Sequence, residues 1–84
     1  MAEFILTMHA SHVVVERELK LEWIDLALSA PDRTNRDPNH PTLCHSLRSI
    51  PERGGRVLRV VYNDTQTPWL VVTAFFDRRE RSGS

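Results

Sequence analysis

Two apolar runs near the C-terminal end constrain the fold more than any other feature of the chain. Arg56-Val57-Leu58-Arg59-Val60-Val61-Tyr62 and Trp69-Leu70-Val71-Val72-Thr73-Ala74-Phe75-Phe76 are rich in β-branched and aromatic residues, which suit a pleated, half-buried surface. Gly54-Gly55 introduces the first run, and the turn-forming stretch Asn63-Asp64-Thr65-Gln66-Thr67-Pro68 separates the two, so they predict an antiparallel hairpin. Residues 43–50 form a weaker third strand candidate, and Phe4-Ile5-Leu6 reads as a short edge strand.

The remaining order is set by helix signals. Thr7 is an N-cap candidate before Met8-His9-Ala10, predicting a helix over 8–18, although Val13-Val14-Val15 lowers its propensity. Leu21, Ile24 and Leu28 share one face of a second helix that Pro31 ends. The polar segment 31–42 holds three of the five prolines and reads as an exposed loop; 78–84 reads as a flexible tail. The expected fold class is α+β, with two N-terminal helices packed on one face of a small antiparallel sheet of three to four strands. Strand alternation places Leu43, Leu47, Leu58, Val60, Tyr62, Leu70, Val72, Ala74 and Phe76 against the helices. The opposite, uncovered face then carries Cys44, Ser46, Arg48, Val57, Arg59, Val61, Trp69, Val71, Thr73 and Phe75.

With 84 residues, the chain forms a single domain over 1–84 with one small core. Its one cysteine, Cys44, excludes an internal disulfide and a four-cysteine zinc site. No apolar run approaches the roughly 20 residues of a membrane span, and Glu3 stands where a signal peptide carries positive charge. The cytoplasm is therefore the expected location, with no membrane association. The formal net charge is zero, but residues 1–32 carry −4 and residues 33–84 carry +4, with ten arginines and a single lysine in the whole chain. Arginine grips phosphate or carboxylate with a planar fork that lysine lacks, so an anion-binding sheet face is one reading; a solvated surface paired to the helix acids is the other.

Several words of the sequence, taken in order, carry a family resemblance. Thr7-Met8-His9-Ala10 opens the first helix, Arg17 closes it, and Ala27-Leu28-Ser29-Ala30-Pro31 ends the second. Gly55-Arg56-Val57-Leu58-Arg59-Val60-Val61-Tyr62 and Val71-Val72-Thr73-Ala74-Phe75 form the strands. This pattern resembles the domain of unknown function 4258 family over most of the chain apart from residues 33–50. Val13 departs from it, standing where the family often has arginine; His12 is the nearest substitute. The family in turn resembles the barnase, EndoU and RelE-like group of ribonuclease folds. That resemblance implies metal-independent RNA cleavage, often as the toxin of a toxin–antitoxin pair, with RNA and an antitoxin protein as partners.

Such cleavage needs a proton acceptor for the 2′-hydroxyl, cations for the phosphorane and an acid for the leaving oxygen. His9, inside a helix start, is the first candidate for proton transfer; its bland reading is a packing or capping residue. Arg17 and Arg59 are candidate phosphate ligands, and Thr73 a candidate for orientation. Arg17 could instead pair with Glu16, Glu18 or Asp25, and Thr73 could simply suit a strand. Arg48, Arg56 and Phe75 are candidate RNA contacts. His40, Cys44 and His45, with His9 and His12, match no strong zinc spacing, and Cys44 as a nucleophile has only His45 beside it as base. Neither metal nor cofactor is expected. The rival expectation is a non-catalytic interaction domain of the same fold, binding a protein partner or a second copy through Trp69, Val71 and Phe75.

Overall fold

The computed structural model describes residues 3–80. The order is β1 (Phe4–Leu6), α1 (Met8–Glu16), α2 (Leu21–Ser29), β2 (Arg33–Arg36), β3 (Leu43–Ile50), a 3-10 turn (Pro51–Arg53), β4 (Arg56–Asn63) and β5 (Trp69–Phe76). The α+β class holds, but the sheet is five-stranded and mixed, in the order β1-β5-β4-β3-β2, rather than antiparallel with three or four strands. β1 pairs β5 in parallel and forms the edge, because two helices intervene before the hairpin returns to it. β2 lies within the stretch expected to be an exposed loop; its four residues are indeed exposed, and they pair with β3.

Thr7 caps α1, its Oγ1 accepting from the Ala10 amide at 3.0 Å and donating to the Val72 carbonyl at 3.2 Å. One side chain thus starts the helix and ties it to β5. The valine run is tolerated because Val13 packs inward while Val15 stays exposed. The helix stops at Glu16, two residues earlier than expected: Glu18 adopts φ 54°, the Glu18 amide donates to the Val15 carbonyl, and the Leu19 amide donates to that of Val14. This is a Schellman close with buried Leu19 as its apolar anchor. In α2 the buried stripe is Trp23, Ile24, Ala27 and Leu28; Leu21, expected on that face, is exposed.

Both helices lie on one face of the sheet, α1 against β5 and α2 against β3 and β4. The core joins Ala10, Val13, Leu19, Trp23, Ile24, Ala27 and Leu28 to Cys44, Ile50, Leu58, Val60, Tyr62, Val71 and Ala74. Two of the expected face assignments are reversed. In β3 the register sets Cys44 opposite Tyr62, Ser46 opposite Val60 and Arg48 opposite Leu58, so these residues face the helices while Leu43, His45 and Leu47 face away. Residues directly opposite across an antiparallel pair share a face, and the turn through Pro51–Arg53, closed by Gly54 at φ 67°, fixes which residues are opposite. In β5 a bulge at Val61/Tyr62 sets Thr73 opposite Val61 but Val71 opposite Tyr62. The extra residue, Val72, inverts the parity before it. Val71 and Trp69 therefore join the helix side, where Trp69 stacks on Tyr62 with centroids 5.0 Å apart, while Thr73 and Phe75 remain on the other face.

Candidate functional site

The face away from the helices is organised as rows that cross the strands. Register puts Arg33, Leu47, Arg59 and Phe75 in one row and Asn35, His45, Val61 and Thr73 in the next. Arg59, Thr73 and Phe75, three of the sequence candidates, thus share one patch. The imidazole beside them is His45, which the sequence suggested only as a weak metal ligand or as a base next to Cys44.

A diagonal of polar side chains runs through this patch. Asp37, just past β2, meets His45 Nε2 at 2.8 Å through Oδ2. His45 Nδ1 meets Arg59 NH1 at 2.8 Å. The Arg59 Nε donates to Asp77 Oδ2 at 2.9 Å, and Asp77 extends β5 by donating its amide to the Val57 carbonyl. A guanidinium can only donate. The His45 Nδ1 must therefore accept, which places the ring proton on Nε2, donated to Asp37. The remaining guanidinium nitrogen, NH2, lies 3.6 Å from Glu80, and Glu80 also pairs with Arg33.

These groups are partly to deeply shielded: the side chains of His45 and Arg59 are 19 % and 14 % exposed, and that of Asp77 only 3 %. The Asn39 amide, then His45, holds the Asp37 carboxyl below the usual carboxylate range. Asp77 is held low chiefly by the Arg79 amide and then by Arg59, against the opposing effect of burial. Both carboxylates are thus charged partners that orient the imidazole and the guanidinium.

The other sequence candidates lie elsewhere. His9 on α1 and Arg17 at its C-terminal cap are both exposed, in the helix layer, so they do not converge with Arg59 and Thr73. Arg48 faces the helices and closes the end of α2, donating to the Ala30 carbonyl at 2.8 Å. Arg56 also has helix-side parity; its guanidinium lies over Phe76, 5.1 Å from the ring centroid. Cys44 and His45, neighbours on β3, point to opposite faces, which separates the ligands of the metal reading. Among the described residues no group of three or more His, Cys, Asp or Glu side chains is placed to hold a metal. Ser46 donates to the Tyr62 hydroxyl at 3.0 Å inside the core; burial first, with Cys44 beside it, pushes the Tyr62 phenol up to about 12.

Residues 78–80, expected to belong to the flexible tail, turn back over this face, while the rest of that segment, 81–84, lies outside the described residues. No helix among the described residues is long and apolar enough to cross a membrane. The site residues missed in the sequence, Asp37, Asp77 and Glu80, sit just beyond strand ends. Asp37 carried one signal, an acid at the close of the arginine-bearing strand Arg33–Arg36; Asp77 and Glu80 follow β5, which has no arginine, and had no such signal. A family model described as Domain of unknown function (DUF4258) matches residues 6–76. No curated protein and no solved structure matches the chain.

Proposed function

Since the chain belongs to the DUF4258 family, whose description assigns no activity, its function rests on its own geometry, and we propose a metal-independent RNA-cleaving, toxin-like domain that works on the sheet face around His45 and Arg59. The observation that carries this reading is the oriented pair itself, an imidazole nitrogen 2.8 Å from a guanidinium, each braced by its own aspartate. His45 takes the role first given to His9. When a phosphodiester draws the Arg59 guanidinium away from Nδ1, that nitrogen is free to accept the 2′-hydroxyl proton. Asp37 on the far ring nitrogen stabilises the imidazolium that forms, and the imidazolium returns that proton to the 5′-oxygen as the P–O5′ bond breaks and the 2′,3′-cyclic phosphate closes. Arg59, tethered through Nε to Asp77, turns to the phosphate and supplies positive charge for the phosphorane. Thr73 offers a hydroxyl to the phosphate, and Phe75 a ring to a base. Membership in the barnase and RelE-like group, and pairing with an antitoxin protein, belong to the same proposal and rest on the sequence resemblance.

A second reading has its own support. Both ring nitrogens of His45 and all three guanidinium nitrogens of Arg59 are engaged within the chain, and the formal net charge is zero. These features favour a non-catalytic interaction domain. The surface first suggested for it is narrowed, since Trp69 and Val71 lie on the helix side. Incubation of purified protein with single-stranded RNA in EDTA separates the two. The nuclease reading expects cleavage that survives EDTA, falls at least about 10²-fold in His45→Ala, and persists in His9→Ala. Intact RNA after incubation with the native chain removes the catalytic role and leaves the interaction domain.

A further inference from the structure

We propose that Arg33 and Arg59 form a two-arginine site for a phosphate oxyanion, and that the carboxylate of Glu80 occupies this site from within the chain. The inference deepens the RNA reading above, on which it rests for the view that the natural oxyanion is a phosphodiester. The two arginines stand in the same row on either side of Leu47. They are separated by two strand spacings, about 10 Å of sheet, a distance that two long guanidinium arms close over the residue between them. Glu80 pairs with both, and Leu47 beneath the bridge is only 1 % exposed. The result is an apolar floor, two converging cations and one carboxylate, an arrangement that a phosphate oxyanion can take over with the same two-pronged geometry.

The two acids on Arg59 differ in how firmly they are held. Asp77 is almost fully shielded and accepts from the Arg79 amide at 2.9 Å as well as from Arg59 Nε, so it belongs to the framework that aims the guanidinium. Glu80 has a side chain 25 % exposed, and its backbone sits in a turn, the amide donating to the Asp77 carbonyl at 3.3 Å. The Arg33 side chain is 56 % exposed. Water and solutes reach the Arg33–Glu80 side of the bridge, so Glu80 is the exchangeable anion. A bridge of such exposure contributes little, and removing an internal competitor of that strength tightens an external oxyanion by about fivefold.

The test titrates inorganic phosphate, at constant ionic strength, into native protein and into two full-length variants, Glu80→Gln and Glu80→Ser. The guanidinium Nε–H resonances of Arg33 and Arg59 are followed by NMR, and binding of a short single-stranded RNA is measured in parallel. The expected result is phosphate binding about fivefold tighter in both variants, with the gain cancelled when Arg33→Gln is added. Unchanged phosphate affinity in both variants, or a gain that survives Arg33→Gln, overturns the site. A phosphate gain without RNA binding supports the site and removes the RNA reading. RNA bound alike by native and variant chains, with no phosphate gain, overturns the site while the RNA reading stands.

Discussion

Glu18 shows at the scale of one residue how local strain is accepted to gain a turn. Its φ of 54° lies in the left-handed region, where a side chain costs roughly 1–2 kcal/mol. The Schellman close around it satisfies two helix-end carbonyls and seats Leu19 in the core. Glycine adopts this conformation without the Cβ penalty. Glu18→Gly should therefore raise stability by about 0.5–1 kcal/mol, read as a higher urea midpoint at unchanged slope; a lower midpoint would show that the Glu18 side chain contributes more than its backbone costs. Arg48 illustrates the opposite case. A cation that reads from sequence as a surface group is instead spent on the carbonyl end of α2, where positive charge meets the negative end of the helix dipole.

Among the elements, α1 and β3 depend most on their neighbours. α1 has nine residues, shorter than an isolated helix needs for stability in water, and it persists through its cap and its packing on β5. Thr7 serves both, through the Ala10 amide and the Val72 carbonyl. Thr7→Ala should cost about 1 kcal/mol in chemical denaturation, whereas Thr7→Ser keeps the hydroxyl and should cost less. Equal losses in the two variants would assign the effect to the lost methyl group. β3 is the element whose sequence is least decisive. Leu43 and Leu47 favour one parity, Cys44 and Ile50 the other, and a shift by one residue exchanges the two faces. The turn before β4 decides the matter, and with it whether His45 or Cys44 stands beside Arg59.

For the molecule as a whole, the Asp37–His45–Arg59–Asp77 diagonal links the β2 end to the β5 end across the middle of the sheet. Its carboxylates make stability depend on acid. Asp37 and Asp77 have folded-state values below the ordinary carboxylate range, so folding favours their charged forms. The contribution is present above the unfolded value of about 4 and is lost as pH falls through the lower folded values. Asp77→Asn should lower stability at neutral pH by about 1.5–3 kcal/mol, the range for a hydrogen bond to a charged group. It should also flatten the acid limb of the stability profile. Thermal melts from pH 7 down to pH 2 check both, and a variant whose acid limb runs parallel to that of the native chain would place the pH dependence elsewhere.

The sequence by itself determined the α+β class, the cap at Thr7, the stop before Pro31 and the β4–β5 hairpin, because each follows from contacts between residues close in the chain. It also placed Arg59, Thr73 and Phe75 on a common face, since the parity of that part of the hairpin runs unbroken up to the bulge. Only the tertiary structure decided the parallel edge pairing of β1, the strand within 31–42, and the reversal of Trp69 and Val71. It likewise set His9 and Arg17 apart from Arg59 and brought Asp37, His45, Asp77 and Glu80 to it. Those outcomes depend on register and on one inserted residue, which are fixed by the joint packing of segments far apart in the chain and leave no periodic mark within any one of them.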